Sequence, residues 1–229
     1  MFPPGQSSPP YPMTPHQIDF SFKGRYYKTG NITAATKQVW FVLHGYAQLA
    51  QHFIRKFAVL EEHNICVIAP EGLSRFYLEP LSNRMQTGDS RVGATWMTKE
   101  DRQTDIDNYI TYLNALYRQE ITQTNIPVTV LGFSQGAATA SRWVADGQVN
   151  LDRFILWAGI LPPDMDFEAG REALRNKETY MVYGTEDPYL NDSRFTELDL
   201  LSNRLGIYPQ RIVFKGQHEI HAPTLLRFI

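Results

Sequence analysis

The chain has 229 residues, which suits one large α/β domain, and its 43% hydrophobic and 13% aromatic content excludes a disordered protein. Its 22 basic and 24 acidic residues give a formal charge of −2, so net charge offers no reason to bind nucleic acid or an anionic membrane. No apolar run reaches the roughly 18 residues of a membrane helix, and the single cysteine excludes an internal disulfide, so we expect a cytoplasmic protein without a membrane span.

Residues 1–16 are rich in proline and lack the basic and apolar regions of a secretory signal. We therefore predict an extended, polyproline-like arm there. Residues 17–229 contain no linker and no internal repeat, so we predict that they form a single domain.

Strand and helix patterns alternate along this predicted domain. Apolar residues alternate over residues 18–28 and are interrupted by Lys23-Gly24, which predicts an edge hairpin. Residues 73–97 have no clear period. Continuous apolar runs predict buried strands at 38–43, 65–69, 128–131, 154–157, 179–183 and 212–215. A period near 3.6 predicts helices at 49–63, 98–117, 137–145 and 195–205, with short helices before residue 179 and at 223–229.

This alternation predicts an α/β fold with a mostly parallel central sheet, an antiparallel N-terminal edge hairpin, and helices on both faces. The segment between Gly159 and Thr179 is too short to form a lid, so we expect no large cap domain.

A G-x-S-x-G pentapeptide, Gly132 to Gly136, joins the strand predicted at 128–131 to the helix predicted at 137–145. A chain that passes from strand to helix within so few residues turns sharply, and side chains that flank the apex would clash. Glycine on both sides removes the clash and leaves the hydroxyl of Ser134 above the sheet, which predicts a nucleophile. The alternative is a tight turn whose serine only caps the helix.

In an open parallel sheet, sites form beyond the carboxyl ends of the strands. The segments that follow the predicted strands contain one serine, several acidic residues and a histidine, in the chain order serine, acid, histidine. A serine hydroxyl needs a base to accept its proton and a carboxylate to orient that base, so this set suits nucleophilic catalysis. The candidates are His44, Glu71, Ser134, Asp164, Asp166, Glu186, Asp187 and His218.

On these residues the chain resembles the α/β-hydrolase superfamily, and within it the small cap-less phospholipase/carboxylesterase group that includes acyl-protein thioesterases. The resemblance spans about residues 38–221. It is carried by five motifs, Leu43-His44-Gly45, Pro70-Glu71-Gly72, Gly132-Phe133-Ser134-Gln135-Gly136, Gly184-Thr185-Glu186-Asp187-Pro188 and Gly216-Gln217-His218-Glu219-Ile220.

The resemblance implies that Ser134 is the nucleophile, His218 the general base and Asp187 the orienting carboxylate. Asp164 and Glu186 are alternatives for the carboxylate. His221 is an alternative base, and its spacing from His218 could also suggest a metal site, but no second pair of ligands accompanies it. We therefore expect no metal and no cofactor.

The same resemblance implies an oxyanion hole made by the backbone N–H groups of Tyr46 and Gln135. We expect His44 to be structural, with its ring holding the loop that carries Tyr46. Four aromatic residues are candidates for the walls of an open substrate groove: Phe76, Tyr77, Trp96 and Tyr189. The alternative is that they are ordinary core residues, and we expect one or two of them to line the pocket.

The chain departs from acyl-protein thioesterases at Tyr46-Ala47-Gln48, where Leu-Gly-Asp is usual, at Tyr189-Leu190 and at Gln217. We therefore predict a serine carboxylesterase that acts on a small-molecule ester or acylated substrate, with short-chain esters or thioesters as test substrates, in a monomer or a homodimer. One alternative is a serine peptidase of the aminopeptidase type, in which Glu71 and Glu79 would hold the substrate amine. Another alternative is a non-catalytic binding module. Nucleotide binding is disfavoured, because no G-x-G-x-x-G motif follows a predicted strand.

Overall fold

The structure, a computed structural model of the chain, describes residues 13–88, 90–122 and 125–229. Most of the predicted arm, residues 1–12, lies outside the described residues. Within the described ranges, no helix combines the length and apolarity that a membrane span requires.

The strands are β1 (Tyr26–Lys28), β2 (Gln38–Leu43), β3 (Ile65–Pro70), β4 (Ser74–Tyr77), β5 (Val92–Thr95), β6 (Val128–Phe133), β7 (Arg153–Trp157), β8 (Glu178–Gly184) and β9 (Gln210–Phe214). The helices are α1 (Ala50–Phe53), α2 (Leu81–Thr87), α3 (Arg102–Glu120), α4 (Gln135–Ala145), α5 (Phe167–Ala173), α6 (Asp192–Leu205) and α7 (Ala222–Leu225). Two 3₁₀ segments, Ile54–His63 and Leu226–Phe228, follow α1 and α7.

Seven strands form the central sheet in the order β1-β3-β2-β6-β7-β8-β9. Every neighbouring pair in it is parallel except β1 and β3, which are antiparallel. The α/β fold with a mostly parallel sheet and an antiparallel edge is therefore confirmed.

Successive residues of β2 pack on opposite faces of the sheet, as a strand that is buried on both sides must. Val39 and Phe41 belong to one apolar cluster, which also contains residues of α3, α4 and α6. Trp40 and Val42 belong to a second cluster, which contains residues of α1, the first 3₁₀ segment and α7. Helices therefore cover both faces, as predicted.

Three details differ from the prediction. The N-terminal edge is the single strand β1, which pairs with the buried strand β3, so residues 18–25 form no hairpin. The helix predicted at 49–63 is one turn of α-helix followed by the 3₁₀ segment, which ends at His63 as predicted. The stretch 73–97 forms an antiparallel pair, β4 and β5, around α2 rather than an irregular segment. Its strands are too short to show a period in the sequence.

The turn between β6 and α4 brings two backbones into contact. A Cβ atom on Gly132 would lie 2.3 Å from the carbonyl oxygen of Gly136, and a Cβ atom on Gly136 would lie 2.3 Å from that of Leu43 in β2. Ser134 stands between them with φ 54° and ψ −117°, outside the regions that side chains with a Cβ prefer. Such a conformation costs about 1–3 kcal/mol and persists only where the surrounding structure enforces it.

We predict that Ser134→Gly is more stable than Ser134→Ala. Glycine relieves the backbone strain, and this outweighs the ~0.5–1 kcal/mol that its freedom in the unfolded chain costs. The difference in Tm should be about 2–4 °C for each kcal/mol of net gain, measured by calorimetry on both variants. Equal Tm values for the two variants would show that the backbone conformation at residue 134 does not destabilise the fold.

Candidate active site

The carboxyl ends of β2, β6, β8 and β9 meet at one edge of the sheet. The segments that leave them carry His44, Ser134, Asp187 and His218, respectively. The structure therefore brings together at this edge the residues that the sequence pattern and the resemblance had selected.

Asp187 and His218 are hydrogen-bonded, with 2.8 Å between the Oδ2 and Nδ1 atoms. The Asp187 side chain is fully buried, and its Oδ1 atom accepts the backbone N–H of Tyr189 at 2.9 Å. A carboxylate can only accept, so Nδ1 of His218 carries the proton and Nε2 is free to act as a base. The His218 side chain is 19% exposed, so the ring remains accessible from solvent.

Main-chain hydrogen bonds hold the two loops that carry this pair. The N–H of Thr185 donates to the carbonyl of Phe214 at 2.9 Å, and the N–H of Glu186 donates to that of Gly216 at 2.9 Å. The loops after β8 and β9 therefore extend the pairing of their strands, and the position of His218 relative to Asp187 is fixed by backbone.

Ser134 is half-buried, and its N–H donates to the carbonyl of Trp157 at the end of β7 at 2.9 Å. The ring of the preceding residue, Phe133, lies 4.9 Å from the ring of His218, which places the elbow beside the base. The hydroxyl of Ser134 forms no hydrogen bond with any residue that the structure describes, so its contact with His218 stays a prediction. In enzymes without substrate this contact is often long.

Residues 45–49, which we call the oxyanion loop, connect β2 to α1. Within the described chain, the backbone N–H groups of Tyr46 and Gln135 form no hydrogen bond. Gln135 is the first residue of α4, where N–H groups lack partners within the helix. Both amides therefore lack a partner among the described residues, and their role as an oxyanion hole stays a prediction.

The side chain of Gln135 has a structural role that the sequence did not indicate. Its amide nitrogen donates to Thr95 Oγ1 at 2.9 Å and to the carbonyl of Met97 at 3.1 Å. Its amide oxygen accepts the N–H of Trp96 at 3.3 Å. These bonds fasten the first turn of α4 to the end of β5, which only the fold brings near.

His44 is fully buried, and both of its ring nitrogens bond to backbone. Nδ1 lies 2.7 Å from the carbonyl oxygen of Gly45, and Nε2 accepts the N–H of Gly72 at 2.9 Å. Nδ1 therefore carries the proton, and the ring holds the start of the oxyanion loop, consistent with the predicted structural role. Burial lowers the pKa of His44, against the opposing effects of the Gly45 carbonyl and the Glu71 charge.

The alternative acids and the alternative base are placed elsewhere. Asp164 forms ion pairs with Arg102 and, at 2.5 Å, with Arg142. Glu186 is exposed to solvent. His221 hydrogen-bonds Thr224 Oγ1 at 2.8 Å.

His221 also stacks on Phe214 at 4.8 Å, whereas His218 bonds Asp187, so the two histidines hold no common ligand position. Among the described residues, no three histidine, cysteine, aspartate or glutamate side chains are grouped to hold a metal ion.

The four aromatic residues predicted to wall the groove occupy different environments. Tyr189 is 67% exposed, and its ring lies edge-on to His218 at 4.7 Å. Phe76 is half-buried and lies against the exposed ring of Tyr46 at 5.4 Å. Tyr77 turns to the other face of β4, where the Arg84 guanidinium covers its ring at 3.8 Å.

Trp96 is 1% exposed, and this burial contradicts its prediction as a groove residue. Its ring stacks on His44 at 5.0 Å, and its indole N–H donates to the carbonyl of His44 at 2.8 Å. Trp96 is therefore a core residue that supports the oxyanion loop from below.

Two cavities lie beside this region but contain none of Ser134, Asp187 and His218. One of about 530 Å³ adjoins the oxyanion loop at Ala47 and Gln48. Another of about 720 Å³ lies between α3 and residues 17–24.

We predict that the folded chain loses stability as pH falls below about 6.5, partly through His44. Since burial lowers its pKa, the unfolded chain binds that proton more readily, so acid favours unfolding. His44→Gln keeps a donor and an acceptor but cannot titrate. The free energy of unfolding is measured in urea at several pH values from 7.5 to 5 for the wild type and His44→Gln. Its slope against pH should be steeper for the wild type by up to about 1.4 kcal/mol per pH unit. Parallel profiles would contradict this role.

Comparison with known proteins gives the following matches. The model of the Phospholipase/Carboxylesterase family matches residues 30–223. No curated protein matches the chain. Among solved structures, esterase PE8 is 19% identical, with TM-score 0.63 over 90% of this chain and 98% of that one. Zea mays acyl-protein thioesterase 2 is 17% identical, with TM-score 0.63 over 90% and 96%. The Bacillus cereus carboxylesterase is 13% identical, with TM-score 0.61 over 90% and 91%.

At these identities the structural likeness shows the fold, which is that of the α/β hydrolases. The family model covers most of the chain, including the segments that carry Ser134, Asp187 and His218. The chain belongs to the phospholipase/carboxylesterase family.

Proposed function

We propose that the protein is a serine carboxylesterase that cleaves a carboxylic ester or thioester through an acyl-enzyme on Ser134. The observation that carries the proposal is the 2.8 Å hydrogen bond between buried Asp187 and His218, beside the strained turn at Ser134. A histidine in a fixed tautomer next to a serine on an elbow is the arrangement that activates a hydroxyl.

In the proposed reaction, Nε2 of His218 takes the proton of the Ser134 hydroxyl as the oxygen attacks the substrate carbonyl. The tetrahedral intermediate carries its negative charge on the former carbonyl oxygen, where the N–H groups of Tyr46 and Gln135 stabilise it. His218 then donates its proton to the departing alcohol or thiol. Water repeats the sequence on the acyl-enzyme, so that the acid leaves and Ser134 regains its proton.

Asp187 holds the imidazole in the required tautomer and stabilises its protonated form. The hydrogen bond from Tyr189 N–H occupies the second oxygen of Asp187, so the carboxylate cannot rotate away. We infer that substrate contacts three aromatic side chains, Tyr189, Tyr46 and Phe76. The ring of Tyr189 lies beside His218, and that of Phe76 packs against Tyr46 of the oxyanion loop.

A first experiment tests this chemistry with a fluorophosphonate probe that labels activated serines. We expect the wild type to label and Ser134→Ala not to label. His218→Ala and Asp187→Asn should label at least about 100-fold more slowly, because each removes the base or its correct tautomer. Asp164→Asn is the matched control, since this acid is paired with arginines, and it should label at the wild-type rate.

Hydrolysis of p-nitrophenyl butyrate by the same variants should follow the labelling rates. The double variant Ser134→Ala/His218→Ala should lose little more activity than either single variant, because the two residues act as a unit. A wild type that neither labels nor turns over ester would favour a non-catalytic binding protein.

The main alternative within catalysis is a serine peptidase of the aminopeptidase type, and the contacts of its predicted amine-binding residues argue against it. Glu71 is 1% exposed and paired with Arg25 and Arg75. Glu79 is paired with Arg91 at 2.5 Å. Both carboxylates already have cationic partners within the chain.

We predict that kcat/KM for p-nitrophenyl butyrate exceeds that for an aminoacyl p-nitroanilide by at least about 100-fold. The reason is that a neutral ester needs no anion for its binding, whereas Glu71 and Glu79, the residues predicted to hold the amine, already pair with arginines. A series of p-nitrophenyl esters from acetate to palmitate then defines the preferred acyl length. Faster turnover of the anilide would overturn the esterase assignment in favour of the peptidase.

A further inference from the structure

We propose that Glu71 is a positioning residue that fixes the oxyanion loop and thereby the N–H of Tyr46. This inference rests on the proposed function, because it assigns Glu71 a task only if Tyr46 N–H binds an oxyanion. Glu71 does not touch the reacting atoms in this proposal. It acts through the backbone of the loop.

The two oxygens of Glu71 have separate partners. Oε1 accepts from Arg25 at 2.6 Å and 2.9 Å and from Arg75 at 3.2 Å. Oε2 accepts the backbone N–H of Ala50 at 3.2 Å. The arginines compensate the charge of a carboxylate that is 1% exposed, while the other oxygen holds main chain.

Ala50 directly follows the oxyanion loop and is the first residue of α1. At the other end of the loop, His44 accepts the N–H of Gly72, the residue next to Glu71. Two adjacent residues at the end of β3 therefore hold both ends of the loop, one by a side chain and one by an amide. Tyr46 lies between these two anchors.

The backbone of Arg25 is held beside Glu71. Its carbonyl accepts the N–H of Glu71 at 3.0 Å and the hydroxyl of Tyr112 at 2.7 Å. The pairing of the N-terminal edge with β3 therefore places Arg25 within reach of the Glu71 carboxylate. If Glu71 had only a structural role, its ion pairs with the arginines would be sufficient. The additional hydrogen bond from Ala50 N–H to Glu71 Oε2 links the carboxylate to the oxyanion loop.

The test compares Glu71→Gln with Glu120→Gln. Glu120 is a matched control because it too joins the N-terminal edge to the body, accepting from Lys28 at 2.8 Å and Tyr26 at 2.6 Å, with a side chain 9% exposed. We expect Glu71→Gln to lower kcat for p-nitrophenyl butyrate by about 10- to 100-fold, since misplacement by 1 Å can cost 10²-fold. KM should change less than about twofold, and Glu120→Gln should match the wild type.

A second readout separates positioning from loss of folded enzyme. Active sites are counted by end-point labelling with fluorophosphonate, and kcat is expressed per active site. A trifluoromethyl ketone adds reversibly to the Ser134 oxygen, whose proton passes to His218, and leaves an oxyanion in the hole. Its inhibition constant should rise in Glu71→Gln by the factor by which kcat/KM falls. A purely structural effect would lower the number of active sites and leave both quantities unchanged.

Arg75→Gln serves if Glu71→Gln does not fold. Arg75 is 39% exposed on its side chain, and its removal leaves Glu71 bonded to Arg25 and Ala50, so we expect a smaller fall in kcat per active site, about two- to fivefold. Wild-type values of kcat in the folded variants, with an active wild type, would overturn this inference alone. A wild type without labelling or turnover would overturn the proposed function, and this inference with it.

Discussion

The close passage of β6 and α4 is the constraint on which the rest of the site depends. The two backbones touch at Gly132 and Gly136, and the second glycine also touches the end of β2. A side chain would clash with backbone at either glycine, so the turn between the two glycines is tightly constrained. Ser134 lies at the apex of this turn. Strands β2 and β7 flank β6, and hydrogen bonds from both sides keep the turn in a conformation that an isolated peptide would leave.

Hydrogen bonds between segments that follow neighbouring strands fix the loops on both sides of this turn. On one side, the loops after β8 and β9 are joined through Thr185 and Glu186, which sets Asp187 against His218. On the other side, the residues after β3 hold the loop after β2. Each polar group of the site therefore depends on main chain that continues a sheet, and this rigidity is what precise transition-state binding requires.

Local patterns were sufficient to predict most of the sheet and the residues at its carboxyl edge. Buried parallel strands are continuous apolar runs, and a strand-to-helix turn that needs two glycines has a sequence signature, so β6 and Ser134 follow from the residues themselves. The choice of Asp187 over Asp164 came from the resemblance, not from the pattern. It agrees with the structure because Asp164 is paired with two arginines from distant helices.

What the sequence did not predict depends on contacts between distant segments. Apolar and polar residues alternate over residues 18–28 as they would in a hairpin. In the fold, β1 instead pairs with β3, a strand from a distant part of the sequence. Trp96 was predicted to line the groove because it is aromatic and lies in an irregular stretch. In the fold its ring is buried in the core and stacks on His44. The role inferred for Glu71 needs Arg25 and Ala50, which no local window contains.

The proposed machinery draws on almost the whole length of the described chain. Arg25 supports it near one end and His218 completes it near the other, with the nucleophile in between. During synthesis, a chain that has already formed its central turn still lacks the imidazole that would activate it. A fragment without the segment of His218 would lack the proposed base, and one without Arg25 would lack a support of the oxyanion loop. Full activity of the proposed site would thus require segments from both ends of the described chain.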